Sequence, residues 1–363
     1  MSDLKPVKLY DICILEKGQQ IDTSLLDDSK PYRYINGGIK ESGYYDDFNT
    51  SGESVLISEG GASCGYINYV NENFWCGCHC YRLHDIKVFP KYLFHALKAN
   101  QQRIMALRTG SAMPNIQKST IQKFELKIHD DINTQKKVSS MLDKCNELIE
   151  KHKLTLEKYD SLIKSRFIEM FGDPVQNPMG WEVYTVEECA TKEPNSLKAG
   201  PFGSSLKKEF YVETGYKIYG QEQVISGDVN FGDYYIDEKK FNELKSCEVK
   251  ANDVLISLVG TYGKLLIIPQ EFQKGIINPR LLKITFDKSK IDTVFFKYFF
   301  ASDSLQKKLT DNTHGGTMGI LNLGIVRKIK IPVPPISLQN EFSTFVHQID
   351  KSKFEYKSTG VAA

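Results

Sequence analysis

Hydrophobic positions along this chain change rhythm in a fixed order, and the order occurs twice. Short runs rich in branched residues come first, bounded by Gly, Asn, Asp and Ser: "SVLIS" (54–58) and "GYINYV" (65–70), then "DVLISLV" (253–259) and "KLLIIP" (264–269). Such runs predict strands. A short amphipathic helix follows, with Phe94, Leu97, Ile104 and Leu107 in the first round. A Gly-rich loop and a basic strand come next, "QKFELKI" (122–128) and "VRKIKIPV" (326–333). Each round closes on a tail of a different period.

The first tail is the clearest element. From Thr134 to Phe171 there is no Gly or Pro, and Leu142, Ile149, Leu156, Ile163 and Met170 form one apolar column of period seven. Val138, Met141, Cys145, Leu148, Tyr159 and Leu162 widen the seam. A sustained heptad predicts a coiled-coil helix, here about 55 Å long at the rise of an α-helix. "FGDPVQNPMG" (171–180) ends it. The second tail starts alike, with Phe342, Phe345, Ile349 and Tyr356 at heptad-compatible places, and reaches "KSTGVAA" (357–363), which does not read as a helix end. A short, truncated second helix is expected.

The two rounds align. "VKLYDIC" (7–13) answers "VYTVEEC" (183–189), and Val55–Ser58 fall over Val254–Ser257. "KYLFHAL" (91–97) answers "KYFFASD" (297–303), and Gln135 falls over Gln339. "GSAMPNI" (110–116) over "GTMGILNL" (316–323) superposes Asn115 on Asn322. A unit of roughly 200 residues is too long for a solenoid repeat. The expected fold is α+β, a tandem duplication of a β-rich domain plus helix, with the helices paired as an antiparallel coiled coil. The expected boundaries are 1–133, 134–172, 173–335 and 336–363.

Composition adds little until charge is mapped. Hydrophobic content of 41% and charged content of 25% are ordinary for globular chains. No apolar run spans a bilayer and no secretory signal opens the chain, so a soluble, cytoplasmic protein without membrane contact is expected. The formal net charge is only +2, yet residues 81–130 carry 9 Lys/Arg against 3 Asp/Glu and residues 280–330 carry 10 against 4. Two basic stretches fit a polyanion gripped at two places, and equally fit solvated helix faces.

Catalytic motifs are missing. The chain has no phosphate-binding P-loop ("GTYGK", 260–264, lacks its first Gly and its hydroxyl), no dinucleotide-binding Gly fingerprint and no nucleophile elbow. It also lacks the polar-Pro-Pro-aromatic tetrad of amino-methyltransferases. "FWCGCHCYR" (74–82) is the one suggestive cluster, with Cys76, Cys78, Cys80 and His79. As one strand it would line three thiols along one face and turn His79 to the other, which cannot close a tetrahedron. No bound metal and no catalytic residue are expected; buried thiols serving as small apolar side chains are.

In this layout the chain resembles the specificity (S) subunit of Type I restriction–modification systems. "GPFGSSLKKEFY" (200–211), "NDVLISLVGTYGK" (252–264), "GIINPRLLKI" (275–284) and "IPVPPISLQNEF" (331–342) are similar to its target-recognition domain and helix entry. "GESVLISEGGASCGYINYVNENFWCGCHCYRL" (52–83) matches the same region of the first unit, and "LIKSRFIEMFGD" (162–173) its central spacer. The cysteines then sit where the family has an aromatic-led strand carrying a histidine. The resemblance implies a subunit without chemistry of its own. Each unit would read half of a split double-stranded DNA site, with the helices as a ruler between halves. Two methyltransferase subunits holding S-adenosylmethionine would dock on the helices, joined by restriction subunits that use ATP and Mg. The short second helix departs from the family.

Gly-rich loops recur at matched places and let backbone N–H groups approach phosphates: Gly60, Gly61, Ser63, Thr109 and Ser111, then Thr261, Tyr262, Gly316 and Thr317. Arg108, Lys118, Lys264 and Lys308 lie beside them as phosphate partners. Base-reading candidates are Lys198, Lys207, Gln221 and Gln223 in the second unit, and Arg33, Asn36 and Lys40 in the first. Each could equally be ordinary turn or surface chemistry. Leu142, Ile149, Leu156, Ile163, Met170, Phe342, Phe345 and Ile349 are the expected subunit-interface positions. Two other readings are a protein-interaction scaffold on a coiled coil, and a thiol- or zinc-dependent enzyme centred on 76–80.

Overall fold

The computed structural model describes residues 4–202, 205–258, 264–311 and 321–361, with the side chains of 357–361 left aside. Two compact units divide between Lys151 and His152. The division falls inside one continuous helix because its two halves pack against different cores.

Unit one runs β1 (Leu4–Lys8), α1 (Leu9–Ile12), β2 (Ile14–Lys17), β3 (Tyr32–Ile35), β4 (Gly43–Tyr45), β5 (Ser54–Ser58), β6 (Ile67–Val70), β7 (Phe74–Cys76) and β8 (Cys80–His84). Then come α2 (Pro90–Ala99), α3 (Gln101–Met105), α4 (Lys118–Gln122), β9 (Glu125–His129) and α5 (Ile132–Phe171). Three sheets result: β1-β9, β2-β8-β5-β6 and β4-β3-β7. The amphipathic stretch expected as one helix is two, α2 and α3, parting at Asn100.

Unit two runs β10 (Glu182–Thr185), α6 (Val186–Cys189), β11 (Leu197–Ala199), β12 (Tyr211–Val212), β13 (Tyr216–Tyr219), α7 (Gln221–Ser226), β14 (Tyr235–Ile236) and α8 (Glu238–Glu243). It continues with β15 (Val254–Ser257), β16 (Leu265–Ile267), β17 (Gly275–Ile277), β18 (Leu281–Ile284), α9 (Thr293–Phe300), α10 (Asp303–Asp311), α11 (Leu323–Arg327), β19 (Lys330–Val333) and α12 (Ile336–Val361). Its sheets, β10-β19, β11-β18-β15-β16 and β12-β14-β13-β17, repeat those of unit one strand for strand, with β12 added at one edge. In both units the small sheet contains one parallel pair, β3–β7 and β13–β17. That pair makes the small sheet of each unit a mixed one.

Burial follows the alternation read from the letters. Val55, Ile57, Tyr81 and Leu83 of the four-stranded sheet share a core with Leu93 and Leu97 of α2 and with Leu126 and Ile128 of β9. In unit two the larger core joins Val254, Ile256, Leu282 and Ile284 to Phe295, Phe296, Phe299 and Phe300 of α9. Ile163, Phe167 and Phe171 from the second half of α5 complete it, together with Phe342 and Val346 of α12.

The helix register is set by one residue type in both units. Buried Gln135 accepts from Phe89 N at 2.8 Å and donates to His129 O at 2.7 Å. Buried Gln339 accepts from Asp292 N at 2.9 Å and donates to Lys290 O and Pro334 O at 2.9 and 2.8 Å. Phe89 and Asp292 are the N-cap residues of α2 and α9, so each glutamine ties the start of a helix to the cap of its neighbour. The alignment of Gln135 with Gln339 therefore holds in three dimensions.

Other expectations change. Asn115 does not superpose on Asn322: the residue before α4 is Gln117, whereas Asn322 caps α11 by accepting from Ile325 N. The register was two residues off because the intervening loop differs in length. "FWCGCHCYR" is not one strand either. Gly77–His79 form a turn between β7 and β8, which belong to different sheets. The second tail, expected as a helix over 336–363, is α12, Ile336–Val361.

Candidate nucleic-acid interface

The turn between β7 and β8 has a counterpart in Asn278–Arg280 between β17 and β18, and both are held by the same backbone bonds. Gly77 N donates to Ile35 O and Asn278 N to Tyr219 O, each at 2.8 Å. Glu59 N donates to His79 O at 2.8 Å, as Leu258 N does to Arg280 O at 3.0 Å. Gly18 N and Gly200 N close the frame on Cys80 O and Leu281 O, at 3.1 and 2.9 Å. Neither glycine has room for a side chain: a Cβ would lie 2.3 Å from Cys76 O at Gly18 and 1.9 Å from Asn278 O at Gly200. The frame puts His79 and Arg280 at the same place on an exposed tip. Aligning "FWCGCHCYRL" with "GIINPRLLKI" would have found this pair, but the sequence reading overlooked it because no residue type is shared at the tip.

In unit one the two Gly-rich loops come together. Gly61 N donates to Pro114 O at 2.9 Å, Ile116 N to Glu59 O at 2.9 Å, and Thr109 and Asn115 exchange two backbone bonds of 2.9 Å. Gly60, Gly61, Ser63, Thr109 and Ser111 thus share one rim, with Arg108 and Lys118 exposed on the second loop and the helix after it. Glu59 lies beneath, buried, accepting from Lys17 Nζ at 2.7 Å and Tyr81 OH at 3.2 Å. Burial and then the Glu59 charge push the Tyr81 phenol up to about 12. In unit two the matching loops carry Thr261, Tyr262, Gly316 and Thr317, which lie outside the described residues; Lys264 and Lys308 beside them are exposed.

The base-reading candidates divide. Lys207 is exposed and pairs with Glu209 at 3.6 Å, and half-buried Lys198 sits across the ladder from Lys283. Gln221 donates to Ser257 Oγ at 2.8 Å and accepts from Arg280 Nη1 at 3.3 Å. Gln223 corrects the expectation of an exposed reader: it is buried, accepts from Gly220 N at 2.8 Å and donates to Phe231 O. In unit one Arg33 is held by Glu41 and Glu72, Asn36 accepts from His79 N at 3.1 Å, and Lys40 is exposed.

The basic stretches are less free than their sums. In 81–130, Arg82 grips Glu16 with two bonds of 3.0 and 2.7 Å, and Lys91 and His95 meet Asp143 at 2.9 and 2.8 Å. In 280–330, Lys283 is buried 3.5 Å from Asp253 and Arg327 lies 3.3 Å from Glu187. Part of each local excess therefore serves the fold.

No group of His, Cys, Asp and Glu among the described residues is arranged to hold a metal. Cys76 and Cys80 are buried beside Ile35, Leu56, Val70 and Phe74. A hydrogen bond with Cys80, then burial, raises the Cys76 thiol, and burial lifts Cys13 to about 12 and Cys189 to about 11. A thiol held protonated is a poor nucleophile and a poor ligand.

The heptad column changes character along α5. Leu142 and Ile149 are exposed, Leu156 and Met170 are half-buried, and Ile163 is fully buried. Within unit two α12 runs antiparallel to the second half of α5. Phe342 stacks edge-on against Phe167 and Phe171, Arg166 reaches Glu341, Lys353 pairs with Asp160, and Tyr356 stacks on His152. Phe345 and Ile349 pack on the same core.

Comparison with known proteins fits this doubled plan. The model of the Type I restriction modification DNA specificity domain matches residues 1–158 and again 178–360. The chain belongs to that family. It is a specificity subunit of the Type I class, a DNA-binding component that works in a complex with other restriction–modification subunits, and the scaffold reading gives way to it. A chain described as a type I specificity subunit from Mycoplasma genitalium is 24% identical over 94% of this chain and 86% of its own length. The MjaVIII specificity subunit of Methanocaldococcus jannaschii is 21% identical over 71% of this chain and 63% of its own. Among solved structures, the M. genitalium Type I S subunit shares the fold at a TM-score of 0.66 and 21% identity, covering 99% of this chain and 93% of that one. No helix among the described residues is long and apolar enough to cross a membrane.

Proposed function

We propose that residues 1–133 and 173–335 are target-recognition domains that each read one half of a split, asymmetric DNA site. Residues 134–172 and 336–363 are the helices that set the distance between the halves. The observation that carries this reading is the repetition of the same sheet order and the same glutamine tie in two units, each followed by a helix. Two copies of one reader, each followed by a helix, suit a target in two parts. Asymmetry is supported by what differs: unit two adds β12, α7 and α8, and the two tips carry His79 and Arg280.

The rim of Gly60, Gly61, Ser63, Thr109 and Ser111, with Arg108 and Lys118, receives backbone phosphates in unit one. Lys264 and Lys308 do so in unit two, together with Thr261, Tyr262, Gly316 and Thr317, while Lys198, Lys207 and Gln221 lie on the base-reading side. Two methyltransferase subunits dock on the helices, using exposed Leu142 and Ile149 beside the packed positions, and restriction subunits join them. The chemistry belongs to those partners, with S-adenosylmethionine in the methyltransferases and ATP and Mg in the restriction subunits. The assembly works in the cytoplasm, where its DNA is.

Co-purification with the methyltransferase of the same system, followed by sequencing of modified bases, tests this. A split motif modified on both strands is the expected result. Absence of a complex, together with DNA binding that ignores salt, would overturn it, because phosphate contacts release counterions.

A further inference from the structure

The paired tip turns keep their frame while exchanging the parts that build it. In unit one the tip amide, His79 N, donates to Asn36 Oδ1 at 3.1 Å, and the position facing Asn36 is Gly77. In unit two the tip amide, Arg280 N, donates to Asn278 Oδ1 at 2.9 Å, and the position facing Asn278 is Gly220. Strand register makes Asn36 the counterpart of Gly220 and Gly77 the counterpart of Asn278. The asparagine has changed strands and the glycine has changed with it. In unit one the glycine is needed, since a Cβ on Gly77 would lie 2.3 Å from Asn36 Oδ1 and 2.8 Å from its Cβ; at Gly220 a Cβ would meet only side-chain ends, Glu222 Oε2 at 2.6 Å and Asn278 Nδ2 at 2.9 Å. Two solutions preserve one backbone geometry, while the side chain it presents differs completely. A scaffold that holds a position still and varies its chemistry is what a reader of different sequences requires.

We infer that this tip is the specificity-determining position of each unit, and that Arg280 reads a guanine in the second half-site. The inference rests on the DNA-reading function proposed above. The Arg280 side chain stands exposed at the wall of a cleft of about 360 Å³ lined also by Lys208, Gln221, Glu222, Tyr234 and Asn278. Its guanidinium has one hydrogen-bond partner among the described residues, the Gln221 carboxamide, which Ser257 holds in turn. One bond orients the planar fork and leaves paired donors for the O6 and N7 edge of guanine, the pairing that major-groove geometry favours for arginine. Gln221 is a positioning residue acting through Arg280. His79 occupies the tip in unit one with its side chain 57% exposed and its Nδ1 3.8 Å from Glu59, a different donor set and so a different base preference.

The test uses the full chain assembled with its methyltransferase, and a panel of duplexes carrying every single base-pair change in both half-sites. The wild type is expected to lose roughly 10- to 100-fold in affinity when the guanine of the second half-site is replaced. Arg280→Ala should bind the cognate and substituted duplexes alike at that position and keep full discrimination across the first half-site. His79→Ala should do the reverse. Gln221→Ala should blunt the guanine preference without erasing it, and Arg280→Lys should not restore it. Arg280→Ala that still discriminates at every second-half position would overturn the inference and leave the bipartite reading intact. A wild-type complex that discriminates at neither half-site would overturn the bipartite reading itself.

Discussion

The two units seat their helices in the same place by different chemistry. Both use the glutamine tie. Beyond it, unit one relies on polar contacts: Asp143 of α5 takes a hydrogen bond from His95 at 2.8 Å and an ion pair from Lys91 at 2.9 Å, both on α2. Unit two relies on rings, with Phe342 of α12 packed among Phe167, Phe171 and Tyr298. Position matters more than substance here. A buried hydrogen-bonded residue fixes register, and either a charged cluster or an aromatic one then supplies the adhesion. The aromatic seat is also the deeper one, since Phe342 is fully buried while the Asp143 side chain keeps 25% of its exposure.

The comparison breaks first at Phe342. Its replacement by Ala should cost about 3–5 kcal/mol, the range for emptying an aromatic site in a core. Denaturant unfolding followed with probes in each unit should show the loss in unit two. An equal loss in unit one would mean the seats are not separate. The glutamines come next. Gln339→Ala orphans one N–H and two carbonyls and Gln135→Ala one of each, so costs of roughly 1–3 kcal/mol are expected, with Gln339 the larger. The reverse order would show that the ties are not equivalent.

Asp143→Asn should cost about 1 kcal/mol at neutral pH. Burial alone would raise the Asp143 carboxyl, but hydrogen bonds from Lys91 and His95 outweigh it and hold the group below its usual range. A carboxyl depressed in the folded state stabilises fully above its unfolded value and loses that contribution as pH falls through the folded one. The gap between wild type and Asp143→Asn should therefore begin to narrow below about pH 4 and vanish only once pH has fallen past the lower folded value. A gap that persisted there would point to packing instead of charge. Lys353→Met, which removes the pair with Asp160, should have the smallest effect, about 0.5 kcal/mol or less, and high salt should abolish it. Asp160 is 65% exposed, so water competes for it.

Local rhythm carried much of the fold. The duplication, the strands at Val55–Ser58 and Val254–Ser257, and the long helix were legible because period two, period 3.6 and period seven are properties of neighbouring residues. The helix expected over 134–171 spans Ile132–Phe171. The Gln135–Gln339 match was legible because its flanking hydrophobics keep the same spacing. What the letters misread were places where chain direction changes. The cysteine run looked like one strand because aromatic and thiol residues suit strands, yet the chain turns at Gly77–His79 against Gly18, where a Cβ would lie 2.3 Å from Cys76 O and whose N–H donates to Cys80 O, contacts made from far along the sequence. Gln223 read as a surface amide because nothing nearby in sequence announces Phe231 O as its partner.

By itself, then, the amino-acid order determined the kind of elements, their succession and their repetition, since those depend on short-range periodicity. Tertiary structure alone decided which half of the heptad column is buried, with Ile163 inside and Leu142 and Ile149 outside, because an identical stripe acquires its meaning only from what packs on it. It also decided that His79 and Arg280 share one position. Backbone hydrogen bonds are indifferent to side chains, so the frame that equates the two residues leaves no trace in their identities.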